Sequence, residues 1–196
     1  MLALRTAATA ATATATATRI DASIVSPPAK TYRYHWEDFP VGQQRQFGAT
    51  VVTREAIIDF AQQFDPQPFH VDEVAARESL FGGLCASGWH SCAMAMRMMC
   101  DEVLLDSASL GSPGMDELRW LKPVFPGDTL SVRLTVLDSR PMASRPKVGL
   151  MRAGWELCNQ RGEVVMTMSG WGMFGRRHAA AADGAPADGK APTPQA

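Results

Sequence analysis

Two periodicities divide the chain. From Arg54 to Phe64 the apolar residues Ala56, Ile57, Phe60, Ala61 and Phe64 recur at helical spacing, which predicts a helix with one apolar face. Thr53 is placed to cap it, and Glu55 puts a negative charge in the first turn, where the helix dipole favours one. A second helical run starts at Gly88 and reaches about Leu105. In it Trp89, Cys92, Ala93, Met96, Met99, Cys100 and Val103 follow i, i+3, i+4, i+7, while Met94, Ala95 and Met98 make the other faces apolar. A helix apolar nearly all round is predicted to be buried. Beyond Asp128 the period becomes two. Leu130, Val132, Leu134 and Val136 face one way, and Thr129, Ser131, Arg133 and Thr135 the other. Met151, Ala153, Trp155 and Leu157 alternate with Arg152, Gly154 and Glu156; Val164, Met166 and Met168 alternate with Val165, Thr167 and Ser169. The turns Pro126-Gly127-Asp128 and Asn159-Gln160-Arg161-Gly162 make these hairpin strands, so an antiparallel sheet with one solvated face is expected. The simplest solution is an α+β domain in which a curved antiparallel sheet wraps around a long, apolar central helix.

Shorter elements fill the remaining interval. A strand is predicted at Gln46–Val52 and a short helix at Asp72–Ser79, with Gly82 and Gly83 breaking the chain. Between them, Asp65-Pro66-Gln67-Pro68-Phe69-His70 cannot prolong the first helix. Its two prolines remove donors and favour extended backbone. The patterned region bounds one domain, 32–177. Residues 1–31 read as a disordered leader and linker, Ala/Thr-rich and closed by Pro27-Pro28; residues 178–196 read as a disordered Ala/Pro-rich tail. The leader bears Arg5 and no acid before Asp21, which suits either a mitochondrial transit peptide or a plain disordered extension.

Composition narrows the function classes. Lys+Arg number 19 and Asp+Glu 20, a balance that excludes a strongly basic nucleic-acid binder. No apolar run reaches the roughly 18 residues that a membrane-spanning helix needs. The four cysteines, Cys85, Cys92, Cys100 and Cys158, form no C-x-x-C pair and suit a reduced, intracellular protein; the cytoplasm is expected, or the mitochondrial matrix if the leader is a transit peptide.

The stretches DFAQQFDPQPFHVDEVAA, FGGLCASG and LKPVFPGDTL, in that order, resemble the MaoC-like acyl dehydratases, relatives of the R-specific enoyl-CoA hydratases, over about Trp36 to Phe174. The resemblance implies a hot-dog fold and reversible hydration of a 2-enoyl-CoA to a 3-hydroxyacyl-CoA. It carries the family's catalytic Asp and His, five residues apart, onto Asp65 and His70. It carries the helix-start glycine, eighteen residues beyond that His, onto Gly88, with Ser87 and Trp89 as neighbouring substrate-binding positions. The chemistry fits those types: a carboxylate and an imidazole can share proton transfer near neutral pH, and a helix amide end can stabilise charge developing on a thioester carbonyl. Three departures bear on acyl specificity. Ser87-Gly88-Trp89 stands where the family commonly has His-Gly-Met. Gln67 stands where it often has Asn. Met94-Ala95-Met96 stands where some hydratases have a Ser.

Other readings stay open beside this. Asp65 is also a plausible turn residue before proline, His70 a satisfied half-buried side chain, and Gly88 a packing glycine. A nucleophilic cysteine beside His90, or a metal set of His70, Asp72 and His90, has no support from spacing. Arg119 and Lys122 are either contacts for substrate phosphates or a solvated strand edge. No metal or redox cofactor is implied, CoA or a carrier protein being part of the substrate. A homodimer or dimer of dimers is expected, covering an exposed sheet edge and placing the site at the interface. An acyl-CoA thioesterase and a non-catalytic acyl-thioester binder are the alternatives.

Overall fold

A computed structural model of the chain describes residues 31–178. The expected leader before Thr31 and the tail after His178 lie outside the described residues. Five strands, β1 (Gln44–Val51), β2 (Gly114–Trp120), β3 (Thr129–Pro141), β4 (Val148–Cys158) and β5 (Val164–Gly175), form one antiparallel sheet in the order β1-β3-β4-β5-β2. Four helices precede β2: α1 (Arg54–Phe64), α2 (Pro68–Val71), α3 (Glu73–Glu78) and α4 (Gly88–Met99).

The alternation seen in sequence is the alternation of the sheet. Leu130, Val132, Leu134 and Val136 of β3 are buried, as are Met151, Ala153 and Leu157 of β4 and Met166 and Met168 of β5. Together they form the concave face, which closes over Met94, Ala95, Met98 and Met99 of α4. Each such side chain contributes on the order of 1.5–3 kcal/mol on leaving water, so packing rather than intrinsic propensity holds α4 in place. Curvature comes from irregular register, including a shift in β1 between Phe47 and Thr50. Gly48 sits in that shift with a φ of 82°, and a Cβ there would lie 2.1 Å from Met98 Sδ. Only glycine supplies both the left-handed backbone and the room for α4. A curved antiparallel sheet wrapped around one central helix is the hot-dog fold.

Four local features depart from expectation. The apolar run from Gly88 is helical to its end, but beyond Met99 it widens into one π turn, Cys100–Leu104, in which Leu105 N–H donates to the Cys100 carbonyl at 3.0 Å. The helix is not buried all round: Trp89 is 57% exposed and Met96 44%, and Ala93 between them is exposed too, although the Trp89 ring meets Trp120 of β2 edge-on at 5.3 Å. β2 is not predicted as a strand, although a solvated strand edge is one of the two readings of Arg119, which lies in it. Its residues do not alternate, since it is an edge strand exposed on both faces and its register shifts between Met115 and Glu117. Finally, the segment after Pro66 is not extended throughout. Pro68 opens the single turn of α2, where its missing N–H costs nothing at the first helical position.

Candidate active site

The chain turns twice between Phe64 and Asp72, and the turns bring Asp65 and His70 together. Asp65 ends α1, its N–H donating to the Ala61 carbonyl at 2.9 Å. Pro66 blocks continuation of that helix. Gln67 N–H then donates to the Asp65 carbonyl at 2.8 Å, and Pro68 starts α2, in which His70 N–H donates back to the Gln67 carbonyl at 2.9 Å. As a result His70 Nε2 lies 3.6 Å from Asp65 Oδ2.

The imidazole's proton is assigned by its other neighbour. His70 Nδ1 lies 2.7 Å from the backbone oxygen of Cys85, which can only accept, so Nδ1 carries the hydrogen. In the neutral ring Nε2 is then the acceptor, and it faces the carboxylate. Asp65 takes two hydrogen bonds of its own. Ser87 Oγ donates to Oδ2 at 2.6 Å and the Gln67 amide nitrogen to Oδ1 at 2.8 Å. The Ser87 bond, against the opposing effect of burial and with help from Gln67 and the nearby His70, holds the Asp65 carboxyl below its ordinary range. Asp65 is thus held as a carboxylate directly beside His70 Nε2.

Both groups line a cavity of about 410 Å³ that also contains the start of α4. Gly88 and Trp89 form part of its wall, Phe69, Phe81 and Trp120 make much of the rest apolar, and Lys122 contributes a cation paired to Glu163 at 2.6 Å. First-turn amides of a helix lack intrahelical acceptors and sit at the positive end of its dipole, so this end of α4 offers donors to an oxygen bound in the cavity. The absence of a side chain at 88 has a direct cause. A Cβ there would fall 2.5 Å from the Trp120 ring, whose Nε1–H donates to the Gly88 carbonyl at 3.0 Å.

The remaining candidates fall elsewhere. Ser87, expected to touch substrate, is fully buried and does not line the cavity; its hydroxyl is turned onto Asp65. Arg119 is paired with Glu117 at 2.5 Å, and unlike Lys122 it does not line the cavity. Asp72 caps α3 by accepting from Val74 and Ala75 N–H, and the His90 ring stacks on Phe60 at 4.6 Å, so neither joins His70. Burial pushes the Cys85 thiol up to about 11, leaving it uncharged at neutral pH. Two contributors were invisible in the sequence. Trp120 sits in the unpatterned β2, and Cys85 acts on His70 through its backbone, which has no residue signature.

Residues 38–154 match the MaoC like domain, and the chain belongs to that family. Among solved structures it is similar to the MaoC-like dehydratase of Rhodospirillum rubrum, at 44% identity and a TM-score of 0.69, over 74% of this chain and 99% of that one. It is 30% identical over 125 residues to the uncharacterized protein YdeM of Bacillus subtilis, a match covering 64% of this chain and 87% of YdeM. A shorter match, 40% over 73 residues, joins it to the mesaconyl-CoA hydratase of Cereibacter sphaeroides, over 37% of this chain and 21% of the hydratase. The chain thus spans most of YdeM but about a fifth of that hydratase.

Proposed function

We propose that the protein is a hydro-lyase that reversibly hydrates the double bond of a 2-enoyl thioester, carried on CoA or a carrier protein, to the 3-hydroxyacyl thioester. The observation that carries this reading is the 3.6 Å approach of Asp65 Oδ2 and His70 Nε2 in one cavity with the amide end of α4. Family membership and the likeness to a mesaconyl-CoA hydratase support the reaction class.

The groups fit the steps of the addition. Asp65 and Nε2 are two acceptors for the hydrogens of one water. As the water oxygen bonds to C3, a proton passes to the Asp65–His70 pair and the C2=C3 electrons shift towards the thioester carbonyl. The Gly88 end of α4 meets the charge that grows on that oxygen. The pair then returns a proton to C2, which completes the addition of water and restores both groups. Dehydration runs the same steps backwards. Nothing is oxidised or reduced, so the scheme calls for no redox cofactor, and CoA enters only as the substrate's thiol.

The assembly belongs to the same proposal. β2 leaves Met115, Trp120 and the adjoining Leu121 about half exposed, and Trp120 also lines the cavity. Pairing of two copies, as a homodimer or dimer of dimers, covers that edge and places the site next to the interface. The four free cysteines support a cytoplasmic setting.

The test is incubation with crotonyl-CoA and longer or branched enoyl-CoAs. The expected result is loss of enoyl absorbance without free thiol, slowed by roughly 10²-fold or more in Asp65→Asn. Release of free thiol would identify a thioesterase instead. Binding across the panel without turnover would identify an acyl-thioester binder.

A further inference from the structure

Ser87 belongs to both halves of the site. Its Oγ caps the twelve-residue helix α4, accepting Trp89 N–H at 3.2 Å. The same hydroxyl donates its only hydrogen to Asp65 Oδ2 at 2.6 Å. The direction of that bond is fixed, because an ionised carboxylate can only accept. Ser87 is 0% exposed, so no solvent competes for either bond. Gln67, which holds the other carboxylate oxygen, is exposed and lies on the same turn as Asp65. Among the described residues, Ser87 is what ties the carboxylate to α4, the element whose N-terminal end lines the cavity. A serine that served only as a cap would have no need of Asp65, since the side-chain oxygen satisfies the helix amide by itself.

We propose that Ser87 is a positioning residue: it clamps Asp65 to the head of α4, so that the carboxylate, His70 Nε2 and the Gly88 amide keep one fixed spacing. The proposal rests on the hydratase reading and adds to it the part that joins the base to the charge-stabilising end of the helix. A hydrogen bond to a charged group is strong enough for its loss to show in both titration and rate.

The experiment compares wild type, Ser87→Ala, Ser87→Gly and Ser87→Thr. Two readouts are taken: the midpoint of Asp65 ionisation from its side-chain carboxyl 13C shift, and kcat and KM for crotonyl-CoA. Ser87→Ala is expected to raise the Asp65 midpoint by about one unit and lower kcat by roughly 10- to 100-fold. KM should stay near wild type, and Ser87→Thr, which keeps the hydroxyl, should restore both readouts. Glycine is nearly as good a helix cap as serine, so Ser87→Gly delivers the same answer if the alanine variant does not fold. An Asp65 midpoint unchanged in the folded variants overturns the clamp, as does a lost hydroxyl that leaves kcat intact. Failure of the hydratase reading looks different: wild type itself hydrates no enoyl thioester, while the titration arm still reports on the clamp.

Discussion

His70 and His90 each follow an aromatic residue, and each ends up buried, at 5% and 8% exposed, yet their surroundings differ in kind. His70 has a backbone acceptor on Nδ1, a carboxylate facing Nε2 and a cavity in front of it. His90 lies flat on Phe60, with an interplanar angle of 7°, and its Nδ1 has no hydrogen-bond partner among the described residues. Burial alone therefore does not give a histidine the surroundings of the role proposed for His70, whose Nδ1 meets a backbone acceptor and whose Nε2 faces a carboxylate. His90, by contrast, is a packing group that happens to be polar, and desolvation holds its pKa below the ordinary range.

The sharpest way to test this contrast is to exchange each ring. His70→Gln should lower enoyl-CoA hydration by roughly 10²-fold or more while the protein stays folded, as read from turnover alongside circular dichroism. A variant that turns over at the wild-type rate would erase the distinction. The head of α4 comes next. Gly88→Ala forces the Trp120 indole aside and should cost about 1–3 kcal/mol in urea unfolding, and the penalty should vanish in a Trp120→Ala background. If it persists there, the glycine serves something other than room for the ring. The smallest effect is expected at the second histidine. His90→Phe removes an unpaired buried polar atom and should leave turnover unchanged while raising stability by roughly 1 kcal/mol.

The same histidine carries a pH signature. Its folded pKa lies below the ordinary 6.5, so on acidification the unfolded chain takes up the proton first. Stability that is full above 6.5 is therefore lost as pH falls from there towards the folded value. Unfolding midpoints measured between about pH 5 and 7 should fall with acid in wild type and fall less in His90→Phe. Equal slopes in the two proteins would mean that folding leaves the proton affinity of His90 unchanged.

Much of the fold was legible because periodicity reports burial directly. The inward set of β3 follows from spacing, but on α4 the predicted stripe of Trp89, Cys92, Ala93 and Met96 is exposed or half-buried, and the residues that face the sheet are Met94, Ala95, Met98 and Met99. The same logic overreached at Trp89, Ala93 and Met96, because an apolar residue is buried only if enough of the molecule covers it, and these remain exposed. β2 is missed as a strand for the opposite reason: an edge strand with a register shift and two exposed faces carries no alternation to read. In the site, the Asp65–His70 spacing and Gly88 are legible in sequence, whereas the bond from the Ser87 hydroxyl to Asp65 is not.

Sequence alone determined which residues are chemically able and which segments are regular, since both depend on side-chain type and on neighbours a few positions away. Tertiary structure decided which acceptor faces His70 Nδ1, which way the Ser87 hydroxyl points and why residue 88 has no side chain. Those outcomes depend on contacts between residues 15 to 32 positions apart, such as His70 with Cys85, Asp65 with Ser87 and Gly88 with Trp120, and no local pattern encodes them.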